Sequence, residues 1–308
     1  MVRVLYIAGS GRSGSTIVDN VLGQVDGVVS VGEVRFLWER GVLADRLCGC
    51  GEPFSSCAFW QPVMRTIGDV DATRMAGLLA RGTRARHVPW LFRARRNPAS
   101  VADRLGSWPE VMGRVYAAIA ELAGARVIVD SSKLPPYGEL LRHVPGIDVS
   151  YVHLVRDPRA TAYSWARAKP LPERDGGMMQ RQGAAKSAAL WTLWNAAAEG
   201  LWAGDRERYL RVRYEDVIAR PRPALARMLA LVGEPADGLP FVTEHEVQLG
   251  TTHGVAGNPS RFTTGVVALR ADTEWRERMR ARDRATVAAV SWPLLLRHGY
   301  LRRPAGSG

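Results

Sequence analysis

The chain opens with a short apolar run that gives way at once to glycine. Val4-Leu5-Tyr6-Ile7-Ala8 reads as a buried strand and Gly9 to Gly14 as a glycine-rich turn. The next stretch reads as a helix with Ile17, Val18, Val21 and Leu22 on one face. Strand, loop and helix in this order turn backbone N–H groups and a helix N-terminus toward an anion. Against the phosphate-binding pattern G-x-x-x-x-G-K-[ST], Gly9, Gly14 and Thr16 fit, while Ser15 stands where an NTPase has its lysine. The unit thus reads as an anion cradle lacking the residue that ordinary NTP hydrolysis uses, with Arg12 and Ser13 as side-chain donors instead. A glycine turn that merely closes a strand–helix unit is the plainer reading of the same residues.

At 308 residues and 46% hydrophobic content, the chain is long enough for one large α/β domain with a substantial core. Its formal net charge of +12 favours anionic partners: nucleotides, nucleic acid or an acidic surface. Nothing in it reads as a recognition helix or a base-stacking module, so nucleic acid is not expected as a partner. Lysine occurs only at Lys133, Lys169 and Lys186, which leaves nearly all positive charge to arginine. No signal peptide precedes the first strand, and no apolar run approaches the ~18 residues of a membrane span. A cytoplasmic protein without a transmembrane segment is expected, and a homo-oligomer is compatible with the composition.

Val28 to Gly32 reads as a second buried strand that delivers Glu33 and Arg35 to its C-terminal end. In open parallel sheets that edge binds ligands. Glu33 there reads equally as a general base and as a surface ion-pair partner of Arg35. Cys48, Cys50 and Cys57 follow. Three ligands alone do not make a zinc site, and the nearest downstream histidine is His87. Reduced, partly buried cysteines in a compact loop are the favoured reading, and a disulfide is not expected in a reducing cytoplasm. From Thr73 to Arg104 the chain is dense in arginine around Trp90, Leu91 and Phe92. That segment reads as a solvated helical insert, with a lid, an interface or a membrane-surface patch as alternatives.

A third strand pattern, Ala125 to Asp130, places Lys133 just past its end, and Leu134-Pro135-Pro136 is expected to stop regular structure. A lysine so placed can stabilise negative charge on a transferring group. The strongest strand pattern, Val149 to Val155, runs into Arg156-Asp157-Pro158-Arg159 and then a helix over 160–168. Arg156 and Ser164 could converge there on one phosphate. His153 inside that strand reads as a satisfied core histidine. Ala184 to Ala203 reads as a core helix containing Trp191, Trp194 and Asn195. Tyr209 to Val217 reads as a strand ending in R-Y-E-D, and Pro221 to Val232 as a helix. Residues 251–262 are loop chemistry throughout. Trp275 to Tyr300 reads as a basic amphipathic helix before a loose tail, 302–308.

Together these residues resemble the sulfotransferases that use 3′-phosphoadenosine 5′-phosphosulfate (PAPS), in particular the branch with carbohydrate and tyrosylprotein sulfotransferases. Arg12-Ser13-Gly14-Ser15-Thr16 matches the family's R-S-G-[ST]-[ST] loop, and Arg156-Asp157-Pro158-Arg159 with Ser164 matches its R-D-P-R-x-x-x-x-S element. The resemblance spans roughly residues 1 to 300. It implies a P-loop-like three-layer α/β sandwich with a central parallel sheet flanked by helices. It also implies one sulfotransferase domain over 1–308; the stretch at about 45–120 carries almost no family motif and reads as a Cys- and Arg-rich insert that could form a lid or acceptor-binding subdomain.

The resemblance further implies the site. Gly11, Arg12, Ser13, Gly14, Ser15 and Thr16 would bind the 5′-phosphosulfate, and Arg156 and Ser164 the 3′-phosphate. Tyr214 would lie near the adenine. Gly257, Asn258 and Arg261 would close over the 3′-phosphate, with Arg261 as the main donor, although the K-G-x-x-G-D-W-K form of the small-molecule cytosolic branch is absent. Glu33 would be the general base, and Lys133, with Arg12, would offset charge on the transferring group. The implied reaction passes the sulfuryl group of PAPS in line to a hydroxyl of a sugar, phenol or natural product, a small-molecule or glycan acceptor. It leaves 3′-phosphoadenosine 5′-phosphate (PAP) and needs no metal. The alternative is a P-loop kinase or NTPase with a degenerate Walker lysine.

Overall fold

The computed structural model describes residues 1–167, 178 and 180–301. The end of the expected 160–168 helix at Ala168, Lys169 and the 302–308 tail lie outside the described residues. The amino-terminal unit forms as its pattern requires: β1 (Val2–Ala8), the glycine loop, and α1 (Ser15–Leu22). β2 (Val28–Ser30) is shorter than its apolar run, because Gly32 already turns at φ +70°. A helical stretch follows: α2 (Trp60–Ile67), α3 (Ala72–Thr83), α4 (Val88–Ala94), α5 (Ala99–Leu105) and α6 (Trp108–Ala123). Then come β3 (Val127–Lys133), α7 (Pro135–Leu141), β4 (Ile147–Val155), α8 (Pro158–Ala166), α9 (Ala184–Trp202) and β5 (Tyr209–Arg213).

The five strands form one parallel sheet in the order β2-β3-β1-β4-β5. The central strand is buried on both sides, as the continuous apolar run demands. Val4, Tyr6 and Ala8 point into one core with Trp60, Trp108, Leu140 and Trp202. Leu5 and Ile7 point into the other, with Val18 and Leu22 of α1. That second layer is completed by α10 (Tyr214–Ala219) and α11 (Pro221–Ala230), whose Val217, Leu225 and Met228 are buried there. Helices thus cover both faces of a parallel sheet, the three-layer α/β arrangement expected from the sequence.

The arginine-dense segment turns its apolar residues inward. Met75, Leu78, Leu91, Val101 and Leu105 share the core that contains Tyr6 and Tyr151 of the sheet. The arginines remain on the outer side of the same helices, the amphipathic pattern of a surface helix.

Several elements differ from expectation. Pro135 and Pro136 begin α7 instead of ending structure, because the first helical turn needs no backbone donor there. Tyr214 starts a helix, so the strand stops at Arg213. The carboxy-terminal helix is two: α12 (Trp275–Arg278) and α13 (Ala281–Arg297), parted by extended backbone at Met279 and Arg280. A hairpin, β6 (Glu246–Leu249) with β7 (Gly265–Ala268), brackets the 250–264 loop. No described helix is long and apolar enough to cross a membrane.

Candidate active site

The sequence of strand order places β1 at the point where connections change side, with β3 on one flank and β4 on the other. Ligands in such sheets bind beyond the carboxyl ends of the strands at this switch. Each strand delivers a candidate there: β1 the glycine loop, β2 Glu33, β3 Lys133, β4 Arg156 and β5 Tyr214. All five line one cavity of about 620 Å³.

The loop is wound tightly. Arg12 sits at φ +68° and Gly14 at φ +89°, two left-handed positions within three residues, the kind of winding that can make an anion-binding concavity of backbone N–H groups. A Cβ on Gly14 would fall 2.3 Å from the Tyr214 ring, so glycine permits both the conformation and the close approach. Gly11, Arg12, Gly14, Ser15 and Thr16 border the cavity. Ser13 does not. It is fully buried, and its Oγ, 3.9 Å from where a Cβ on Gly9 would lie, has no hydrogen-bond partner among the described residues. The Arg12 guanidinium stacks 4.8 Å over the Trp165 ring. Ser10 and Ser15 hydroxyls are buried and have no hydrogen-bond partner among the described residues. Such orphaned groups fit an anion that would accept from them.

Lys133 and Glu33 meet across the ends of β3 and β2, Nζ to Oε1 at 2.7 Å. Two backbone devices make this possible. Between the Tyr6–Asp130 and Ala8–Lys133 pairings, β3 carries one residue more than β1, a bulge that re-aims Lys133. Lys133 takes φ +67°, a strained conformation held by Gly9 N–H donating to its carbonyl at 2.8 Å. Beneath it, buried Asp130 accepts from Ser132 N–H at 2.9 Å and from Tyr116 OH at 2.6 Å, while Ser132 Oγ accepts from Arg35 N–H at 3.0 Å.

On the other strand, Gly32 lets the chain pass close under the 254–256 backbone, and Glu33 N–H donates to Ala256 O at 3.3 Å. Burial alone would raise the Glu33 carboxyl, but Lys133 first, then Arg35 and Arg40, hold it below the usual carboxylate range. Glu33 is therefore ionised at neutral pH.

Arg156 is nearly buried. It donates to Arg12 O at 3.2 Å, lies 4.7 Å over the Tyr214 ring and reaches Asp272 at 3.6 Å. Ser164, two turns into α8, borders the same cavity. The other members of the R-D-P-R element are architectural. Asp157 caps α8 and pairs with Arg159 at 2.6 Å. His153 is fully buried, with Nδ1 2.7 Å from Tyr209 OH and Nε2 2.7 Å from Asn195 Oδ1; burial pushes it down to about 4. It is a satisfied core histidine.

Gly257 and Asn258 border the cavity from the 250–264 loop. Arg261 does not: its guanidinium is buried and donates to Leu47 O at 3.1 Å and Gly257 O at 3.3 Å, bracing the loop from behind. The structure adds Arg35, Trp165, Trp194 and Asp272 to the lining. Trp165 adjoins Ser164 and Trp194 belongs to the tryptophan-bearing helix, both visible in the sequence as apolar residues. Asp272 carries no local signal.

A glycine loop and a facing acid–lysine pair at the switch point of a parallel sheet suit a group-transfer enzyme. The chain belongs to the sulfotransferase family, whose model matches residues 5–238, and it is an enzyme of sulfuryl transfer. No curated protein gives a sequence match. Among solved structures, it is similar to the sulfotransferase domain from the Synechococcus PCC 7002 olefin synthase. Identity is 20%, with a TM-score of 0.54 over 95% of this chain and 94% of that one. The sulfotransferase domain from the curacin biosynthetic pathway is 17% identical, with a TM-score of 0.53 over 94% and 98%. At these identities the likeness is one of fold.

Proposed function

We propose that the enzyme takes the sulfuryl group from PAPS and passes it to a hydroxyl of a small molecule or glycan. The observation that carries this reading is the 2.7 Å Glu33–Lys133 pair beside the 12–16 loop in one cavity with Arg156. When bound, PAPS supplies a sulfuryl group already activated on a phosphate. The residues present suit such a ligand. The amides and hydroxyls of Gly11, Arg12, Gly14, Ser15 and Thr16 would hold the 5′-phosphosulfate, with Ser13 buried within the same loop. Arg156 and Ser164 would hold the 3′-phosphate, and Tyr214, stacked against Gly14 and Arg156, would border the adenine. Gly257 and Asn258 would close the site, and Arg261 would hold their loop.

Ionised Glu33 accepts the acceptor's proton at a carboxylate oxygen, and Lys133 donates toward charge leaving with the phosphate. Their mutual pairing, with Lys133 as the nearest cation, holds the Glu33 carboxyl below the usual carboxylate range. Arg12, stacked on Trp165, adds positive charge to the same cavity. Family membership and Ser15 in the lysine position both favour this over NTP hydrolysis.

The test is thermal stability of the full chain with PAP, ADP or ATP–Mg²⁺. A ligand at 100 times its Kd adds about 2.7 kcal/mol, a rise of a few degrees at this size. Stabilisation by PAP alone supports the reading. A response to ATP–Mg²⁺ without one to PAP overturns it.

A further inference from the structure

All three cysteines of the chain lie in one short loop, and the fold brings to them a histidine about two hundred residues away. Cys57 Sγ is 3.4 Å and Cys48 Sγ 3.7 Å from His253 Nδ1, and Cys50 Sγ is 3.7 Å from Cys57 Sγ. The four ligating atoms lie within 4.8 Å of one another. A tetrahedral zinc ion with Zn–S near 2.3 Å and Zn–N near 2.05 Å has S···S edges of about 3.8 Å and S···N edges of about 3.6 Å. The three measured separations match those edges. A disulfide would need sulfurs about 2.05 Å apart.

The surroundings are built around these ligands. Cys48 and Cys57 are buried, while Cys50 and His253 are partly covered. The His253 ring stacks on Phe59 at 4.9 Å and 13°, and Trp60 Nε1 donates to the His253 carbonyl at 2.7 Å. The chain turns tightly through Cys48-x-Cys50, closed by Gly51 N–H donating to Cys48 O at 2.9 Å. Gly49 N–H donates to Gly254 O at 3.0 Å, and a Cβ on Gly49 would strike Thr252 O at 2.6 Å. The two loops are thus zipped together at the ligands. The nearest histidine downstream in sequence, His87, lies elsewhere, on the arginine-lined side of α3 and α5.

We infer that Cys48, Cys50, Cys57 and His253 form a structural zinc site that clamps the cysteine loop to the 252–258 segment. Three thiolates and an imidazole select a borderline-soft divalent ion of tetrahedral preference, and four protein ligands leave no open position for chemistry. The role is positional. Beyond His253, Val255 N–H donates to Val31 O at 3.0 Å and Ala256 O accepts from Glu33 N–H. The clamp therefore fixes the segment that seats Glu33 and carries Gly257 and Asn258. Ion binding releases the thiol protons and needs no oxidant or reductant. This assignment does not depend on which nucleotide fills the cavity.

The experiment measures metal in the untagged 308-residue chain, expressed and dialysed without chelator. The expected result is about one zinc per chain. Protein grown with cobalt in place of zinc should show thiolate-to-cobalt charge-transfer bands and the visible bands of a tetrahedral ion. Cys57→Ser and His253→Ala should each cut bound zinc to below about a tenth per chain, while His87→Ala keeps it. If the ligand variants fail to fold, the wild-type protein decides: chelator should strip the zinc and lower Tm, and added zinc should restore both. The inference is overturned by a folded chain without zinc whose three thiols react with Ellman's reagent, by a Cys50–Cys57 disulfide, by stoichiometric iron, or by zinc that survives both substitutions.

Discussion

Lys133 Nζ lies 2.7 Å from Glu33 Oε1, and the two side chains join the ends of neighbouring strands β3 and β2. Neither residue is placed by its strand alone. Lys133 depends on a bulge and a positive φ, Glu33 on a glycine that lets the chain run under the 254–256 backbone. Lys133→Ala should lower kcat by about 10²–10³ while PAP binding changes by no more than a few-fold. Removing the lysine also removes the largest influence holding the Glu33 carboxyl down, so the acid limb of the kcat/KM profile should move to higher pH. Turnover near wild type, or an unmoved acid limb, would mean the pair is only architectural.

Arg156 offers a sharper test of which phosphate it faces. Hydrogen bonds to charged groups contribute about 1.5–3 kcal/mol, so Arg156→Ala should weaken PAP by about 10- to 150-fold. ADP, which lacks a 3′-phosphate, should bind nearly as before. Equal losses for the two nucleotides, measured by calorimetry, would assign Arg156 to supporting the loop through its bond to Arg12 O.

Much of this site was legible because its parts are contiguous. The 9–16 loop and the 156–164 element each fold as a strand end plus a helix start, so local spacing carries them. Glu33 and Lys133 follow from apolar runs that end in charge. Glycine and asparagine around Arg261 point in sequence to a phosphate contact, but its guanidinium donates to Leu47 O, from a distant loop, and to Gly257 O. His253 carries no sequence signal for the same reason: pairing with Cys48 across 205 positions leaves no periodic trace. Pro135-Pro136 reads as a terminator in sequence, yet the same rigidity suits the first turn of α7.

Gly32 gives a stability prediction that is independent of the chemistry. At φ +70°, a Cβ would lie 2.8 Å from Ala256 O and 2.9 Å from Gly254 Cα, both backbone atoms that cannot swing aside. Gly32→Ala should destabilise the fold by more than about 1 kcal/mol. It should also displace the segment that seats Glu33, so activity should fall further than stability accounts for. A denaturant midpoint equal to wild type would mean the two loops separate easily.

Asp19 of α1 supplies the pH dependence. It is buried, and desolvation pushes its carboxyl up to about 7, with Lys133 opposing. The unfolded carboxyl ionises near pH ~4, so between about pH 4 and 7 the folded chain holds a proton that the unfolded chain has lost. The stability contributed by that proton is fully present below the unfolded value and is lost as pH rises through the folded one. Asp19 therefore makes stability fall across this window. Buried His153 and His298, both pushed down to about 4, act oppositely, each raising stability as the pH climbs past 4 toward the ordinary histidine value. The wild-type curve alone is thus a sum of opposed slopes, and the informative quantity is the difference from Asp19→Asn. That variant cannot ionise, so it should gain stability relative to wild type steadily from pH 5 to 7.5 in urea titrations. A difference that stays flat across this range would mean that Asp19 is already ionised in the folded chain at pH 5.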